Sequence, residues 1–213
     1  VRFEEITRCP PEIQDVLVSL MSEKQLMIPE MGDGARISAK PGFNLIGTAN
    51  LRDRGVHEMS AALKRRFNFE TVKPIRDPAF EISLIQSQLE NELGTLATEI
   101  TVPMDVVELL VTTFQELRSG NTQDGGNIKT PDAVMSTAEA VNIAYACALE
   151  AHYLGDGVMN AGAIARQLIG VVLKDNPDDI KRIRYYMDNV ARERARNSKE
   201  WKAFFDASKD FWQ

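Results

Sequence analysis

The 213-residue sequence predicts an α/β region followed by an all-helical one. Three observations carry that reading. Over residues 1–73, short apolar runs alternate with amphipathic segments, the pattern of strands and helices around a parallel sheet. From Pro74 onward the apolar residues recur at helical spacing. The composition, 44% hydrophobic and 26% charged, is that of a globular chain able to bury a core.

The elements follow in order. Residues 1–5 read as the end of a buried strand. Pro10 and Pro11 open a helix, because proline is tolerated in a helix's first turn. Ile13, Val16, Leu17 and Leu20 supply its apolar face. Residues 26–31 and 35–39 flank Gly32, Asp33 and Gly34, a hairpin signal. Residues 43–49 form a nearly continuous apolar run, as a buried parallel strand requires. Residues 56–65 read as a short helix and 67–72 as a further strand, with Phe67, Phe69 and Thr71 on one face. The stretch 74–78 is the expected boundary. Beyond it, Ile82, Ile85 and Leu89 stripe a helix over 78–93, and Val107, Leu110, Val111 and Phe114 stripe one over 104–118. A polar loop, 119–130, precedes an Ala-rich helix over 131–153. Ile164, Leu168 and Val172 mark a fourth helix; Ile180, Ile183, Met187 and Val190 mark a fifth. Residues 198–213 form an aromatic C-terminal helix or tail. Trp201, Phe204, Phe205 and Trp212 share one stripe there, open to docking on the chain's own helices or on a partner.

Charge and cysteine content narrow the function classes. The net charge of −6 disfavours a duplex nucleic-acid binder. Residues 176–213 hold 9 Lys and Arg against 7 Asp and Glu, a mixed pattern expected of solvated helix faces. No apolar run reaches the roughly 20 residues that span a bilayer. Two distant cysteines, Cys9 and Cys147, make neither a disulfide framework nor a metal-ligand spacing, and a reducing cytoplasm fits them. His57 and His152 lack a second ligand at metal-binding spacing and read as structural.

Three short motifs could carry chemistry. Glu4 and Glu5 close an apolar strand, the arrangement needed to organise Mg²⁺ and to orient an attacking water. A surface turn is the plain alternative. Asn50 ends the apolar run Phe43-Asn44-Leu45-Ile46-Gly47-Thr48-Ala49, where its amide could hold a water against a phosphate or merely cap a turn. Lys64, Arg65 and Arg66 precede Phe67, either as a solvated helix C-terminus or as cations offered to a phosphate on a neighbouring subunit. Arg52, Asp53 and Arg54 follow Asn50 as an ion-pair network or a second contact to such a nucleotide.

Taken together, FEEITRCPPEIQDVLVSLMSEKQL, a hairpin, FNLIGTAN and EMSAALKRRFNF resemble the second half of an AAA+ ATPase core, most of all its MoxR branch. The resemblance implies a partial P-loop NTPase core over 1–73, a helical lid over 74–197, and ATP and Mg²⁺ as cofactors. By that resemblance Glu4 is the Mg²⁺-side Walker B acid, where the family usually has Asp, and Glu5 is the catalytic glutamate. Asn50 is sensor 1. Arg66 is the trans-acting arginine finger, with Arg65 second. The hairpin matches the insertion that the clade directs toward a ring pore or substrate. It further implies a ring homo-oligomer, a hexamer, acting on a protein partner such as one with a von Willebrand factor A domain.

Two departures stand out. No G-x-x-x-x-G-K-[ST] occurs, so the phosphate loop is expected before Val1 and the chain alone is expected to bind ATP poorly. The nearest match, residues 120–127, lacks the lysine and follows a helix, and reads as a mobile connector. At the lid position of the sensor 2 arginine stands Asp132, with Lys129 the candidate substitute. A subunit that binds partners without hydrolysis, and a DNA-acting AAA+ motor, are the alternative functions.

Overall fold

A computed structural model describes residues 1–32, 34–50, 57–94, 99–133, 135–172 and 176–211. The chain divides into two compact units, Val1–Val72 and Lys73–Gln213. The first is a small parallel sheet with helices and the second is all-helical, as the sequence predicts. The readings of Asp33, Arg52, Asp53, Arg54, Val56 and Trp212 lie outside the described residues.

In the first unit, β1 (Arg2–Phe3) pairs in parallel with β4 (Ile46–Gly47), with Arg2 opposite Ile46 and Phe3 opposite Gly47. Between them run α1 (Pro11–Glu23) and an antiparallel hairpin, β2 (Gln25–Met27) with β3 (Arg36–Ser38). The short helix α2 (Ala61–Lys64) follows, its N-terminus capped by the Ser60 hydroxyl, which accepts from Leu63 N–H at 3.2 Å. Ile6, Leu17, Leu45, Met59 and Leu63 form the core of this unit.

Three expectations need correction here. The buried face of α1 runs through Gln14, Leu17, Val18, Leu20 and Met21, so Leu17 and Leu20 lie where the sequence places them. Ile13 and Val16 stay 46% and 44% exposed. The face is rotated because Gln14 turns inward, where its Nε2 donates to Cys9 O at 3.1 Å and closes the turn before the helix. The strand predicted over 67–72 does not form. Phe67 packs on the core, but Phe69 and Val72 are exposed and no described strand lies beside them to pair with. The parallel strands are shorter than expected and are not buried, Ile46 being 63% exposed. A parallel sheet is buried only when both faces are covered, and the described sheet has two strands.

The second unit is built from α3 (Pro78–Leu93), α4 (Met104–Ser119), α5 (Thr137–Leu154), α6 (Ala161–Val172), α7 (Asp178–Tyr186), α8 (Arg192–Arg194) and α9 (Lys199–Ser208). Its core holds the predicted residues Ile85, Leu89, Val107, Leu110, Val111, Phe114, Ile164, Leu168, Ile183 and Met187. On α5, Ala140, Ala144, Cys147, Ala148 and Ala151 make one small-residue face that lets neighbouring helices approach. α9 lies along α6, with Phe204 fully buried and Trp201 and Phe205 packed on the same core, so these three aromatics dock on their own unit. A π-turn, Met187–Ala191, links α7 to α8; inserted residues of this kind re-aim the side chains that follow.

α5 begins at Thr137, six residues later than expected. Ser136 and Glu139 form a reciprocal capping box, which fixes the start. The loop 119–128, read from sequence as a mobile connector, carries directed internal bonds. Gly120 closes α4 at φ 76°, Thr122 and Gly126 bond across the turn, and Gln123 N–H donates to Glu116 at 2.7 Å. The mixed-charge faces of 176–213 carry short-range ion pairs such as Lys181–Asp178 and Arg196–Glu193.

Candidate functional site

The parallel register brings the two motif-bearing strand ends side by side. Thr48 N–H donates to Phe3 O at 3.0 Å, continuing the ladder past β4. On the other side, Ile6 N–H donates to Thr48 O at 2.9 Å. Glu4 and Glu5 therefore sit beside Thr48, at the carboxyl edge of the sheet and two residues from Asn50. Ligands of open α/β sheets bind at that edge.

Glu5 has an unusual backbone. Its φ of 52° and ψ of 48° place it in the left-handed region. Among the described residues, Lys24 is the other non-glycine residue with positive φ, and it merely ends α1, a common use of that conformation. At Glu5 no α-helix ends. A left-handed non-glycine residue costs on the order of 1–2 kcal/mol and persists only where its surroundings hold it. Here Glu5 N–H donates to Thr48 Oγ1 at 3.1 Å. The Glu5 carboxylate is ion-paired with Arg8 one turn on, and that of Glu4 with Arg2. Both acids are more than half exposed, so these pairs are weak and exchangeable. The donor set fits Mg²⁺, which binds hard oxygens and takes only one or two carboxylates beside phosphate oxygens and water. Glu4 offers such a carboxylate.

Asn50 is exposed, just past the ladder. Arg66 is committed within its own unit. Its Nε donates to Ser22 Oγ at 2.7 Å and its Nη1 to Ala62 O at 2.7 Å, which lays it against α1 and α2. The Arg65 side chain makes no hydrogen bond or ion pair among the described residues. Lys129 belongs to the second unit and is exposed. Asp132 is engaged there, its carboxylate bridging Arg182 and Asn176. Those hydrogen bonds, from Arg182 above all, hold its pKa below the ordinary value.

Sequence reasoning missed a set of buried carboxylates in the helical unit. Glu81 is fully buried and takes Arg118 Nη2 at 3.0 Å and Thr137 Oγ1 at 2.6 Å. Glu116, 2% exposed, accepts from Arg194, from Tyr186 Oη at 2.7 Å and from Gln123 N–H. Asp179, 1% exposed, accepts the N–H groups of Asp132 and Ala133 and pairs with Arg182. A cleft of about 600 Å³ beside Arg76, Gln115 and Arg118 adjoins this set. Arg118 is already occupied there by Glu81, Ile75 O and Met135 O, so the cleft offers it to no ligand. An acid at position i of an apolar stripe was the only local signal. The arginines that meet Glu81 and Glu116 lie 37 and 78 residues away, and the N–H groups that Asp179 holds lie 47 and 46 residues back.

Comparison with known proteins agrees with this division. Residues 1–67 match the family described as AAA domain (dynein-related subfamily). Residues 79–211 match the family described as YehL-like AAA+ ATPase C-terminal domain. The chain is also 43% identical over 208 residues to the uncharacterized protein YehL of Escherichia coli (strain K12). That alignment covers 97% of this chain and 57% of the relative, so the chain spans little more than half of that protein's length. Among the described residues, no helix is long and apolar enough to cross a membrane.

Proposed function

The chain belongs to the YehL-like AAA+ ATPases, and from that premise we propose that it carries the water-activating and lid portion of a MoxR-like ATPase. In this reading the intact protein hydrolyses ATP between subunits of a cytoplasmic ring, a hexamer, and uses the cycle to remodel or mature a partner protein. A von Willebrand factor A domain protein is the partner class the family resemblance favours.

The observation that carries the reading is the left-handed Glu5, held at the carboxyl edge of the parallel sheet beside the strand that leads to Asn50. Glu4 is the residue that would hold Mg²⁺, which when bound neutralises charge on the phosphate oxygens. Glu5, released from Arg8, accepts a hydrogen bond from the attacking water and draws its proton. Asn50 orients the same water toward the γ-phosphorus. Arg66, leaving Ser22, meets the γ-phosphate of the neighbouring subunit and stabilises the charge that builds in the transition state. Arg65 is the second candidate, and its side chain has no competing partner among the described residues. Lys129 contributes a cation to the nucleotide from the lid.

Glu5→Gln in the full-length protein tests the reading. The variant is expected to bind ATP like the parent and to lose nearly all hydrolysis. Unchanged turnover removes Glu5 from the role. ATP binding without hydrolysis by the parent itself favours the partner-binding, non-hydrolysing subunit instead.

A further inference from the structure

We propose that Thr48 is a positioning residue for Glu5, its hydroxyl fixing the left-handed backbone that aims the Glu5 carboxylate. This rests on the reading of Glu5 given above. Thr48 makes three bonds to the acid-bearing segment. Its N–H donates to Phe3 O, its carbonyl accepts from Ile6 N–H, and its Oγ1 accepts from Glu5 N–H. The first two are backbone bonds that any residue at position 48 can make: one continues the ladder, and the other gives Ile6 the carbonyl that a continuing ladder would have offered to Glu5. The third depends on the side chain and falls on Glu5, which among the described residues is the one non-glycine residue with positive φ and no helix end to explain it.

The geometry explains why a hydroxyl is needed. A parallel ladder that simply continued would leave Glu5 extended, with its side chain alternating across the sheet. In the left-handed conformation the chain turns out of the ladder directly after Glu4 and enters the turn Ile6–Arg8. The Glu5 N–H then has no ladder carbonyl to meet, and Thr48 Oγ1 takes it at 3.1 Å. Without that acceptor, Glu5 is free to relax toward a less strained φ, carrying its carboxylate away from the strand end that leads to Asn50. Threonine is suited to the position because its β-branched side chain also favours a strand.

Thr48→Val keeps shape and β-branching and removes only the acceptor; Thr48→Ser keeps the acceptor. In full-length protein with Mg-ATP, Thr48→Val is expected to lower kcat about tenfold or more, since small misplacements of a reacting group are that costly. KM and the dissociation constant for ATP should stay near the parent values. Thr48→Ser should restore most of kcat. In a Glu5→Gln background Thr48→Val should cost nothing further, because both changes then act on one group. Parent-like kcat in Thr48→Val with Glu5→Gln inactive overturns the positioning role and leaves the reading of Glu5 intact. So does failure of serine to rescue, or an additive loss in the double variant, which would route the effect through Asn50. Parent-like turnover in Glu5→Gln overturns both.

Discussion

Arg194→Met gives the sharpest test of how the helical unit is held together. Arg194 donates to both oxygens of Glu116, at 2.9 and 2.7 Å, and its side chain is 15% exposed against 2% for the carboxylate. It also reaches Asp124 at 2.6 Å and stacks 4.8 Å from the Trp201 ring centroid. Burial alone would lower its pKa, but the hydrogen bonds it donates to Glu116 and Asp124 outweigh that and raise it above the ordinary value. Methionine fills much of the space and strands Glu116 without a cation. Removing one partner of a buried pair costs about 3–5 kcal/mol. Tyr186 Oη and Gln123 N–H still serve the carboxylate, which puts the expected loss near the lower end, about 3 kcal/mol. For a unit of this size that corresponds to a fall in Tm of roughly 6–12 °C. Trp201 lies in the second unit and residues 1–72 contain no tryptophan, so fluorescence-monitored urea and thermal unfolding report on that unit directly. Adding Glu116→Gln to Arg194→Met should recover at least about 1 kcal/mol, because the uncompensated charge is gone. Arg166→Met, which breaks the more exposed pair with Glu150, should cost under about 1 kcal/mol. The reasoning fails if Arg194→Met and Arg166→Met destabilise equally, or if the double variant is worse than Arg194→Met.

Four further outcomes are expected. Ser136→Ala removes the capping box of α5 and should lower stability by about 1 kcal/mol in denaturant titration, with Ser136→Asp close to the parent. Burial, reinforced by the Glu150 charge, pushes the Cys147 thiol up to about 12. Alkylation of the native protein at pH 8 should therefore label Cys9 alone, and mass spectrometry should find Cys147 modified only in denaturant. Asp132 has a folded pKa below its unfolded one, so its contribution is complete above about pH 4 and is lost as pH falls through the folded value. Asp132→Asn should thus lower stability at neutral pH while flattening the acid limb of the unfolding curve; an unchanged limb would count against the Arg182 pairing. Arg66→Ala should lose on the order of 10³-fold in hydrolysis and be rescued in mixed rings by subunits that keep the arginine, while rescue specific to Arg65→Ala would move the role one residue back.

What the sequence made legible follows from how each contact is encoded. Helices α3 and α4 were readable to within a residue, because Ile85, Leu89, Val107, Leu110 and Phe114 repeat at the helix period and all end in the core. The C-terminal aromatics could be placed on a stripe, but nothing local could say that Phe204 meets α6. The strand over 67–72 was misread because β-propensity measures fitness for a sheet, and no described partner strand exists there. At the site, Glu4, Glu5 and Asn50 stood out by motif spacing. Thr48 did not, since its hydroxyl gains meaning only from the register that sets it against Glu5. The same limit hid Glu81, Glu116 and Asp179. A lone acid in sequence reads as surface until its distant partners are in place, Arg118 for Glu81, Arg194 for Glu116 and the N–H groups of Asp132 and Ala133 for Asp179.

Those buried acids do more than neutralise arginines, and that bears on Lys129. Glu81 holds Thr137 at the start of α5, Glu116 holds the N–H of Gln123, and Asp179 holds the N–H groups of Asp132 and Ala133. Each is an anchor for a loop with little apolar surface of its own. Hydrophobic residues of similar volume would give comparable stability, since a buried ion pair returns little beyond its desolvation cost. They could not hold backbone N–H groups, which need a directed acceptor. Lys129 lies between two such fixed points, Ile128 N–H on Gly120 O at 2.9 Å and Asp132 N–H on Asp179 at 3.0 Å. Its backbone therefore has little freedom left to lose on meeting a phosphate, and ordering cost is the main charge against a cation on an exposed loop. If Lys129 serves the nucleotide as proposed, Asp179 supports it from the opposite end of a chain of hydrogen bonds. Loosening that anchor with Asp179→Asn should then weaken ATP binding by the full-length protein, and by no more than Lys129→Ala does.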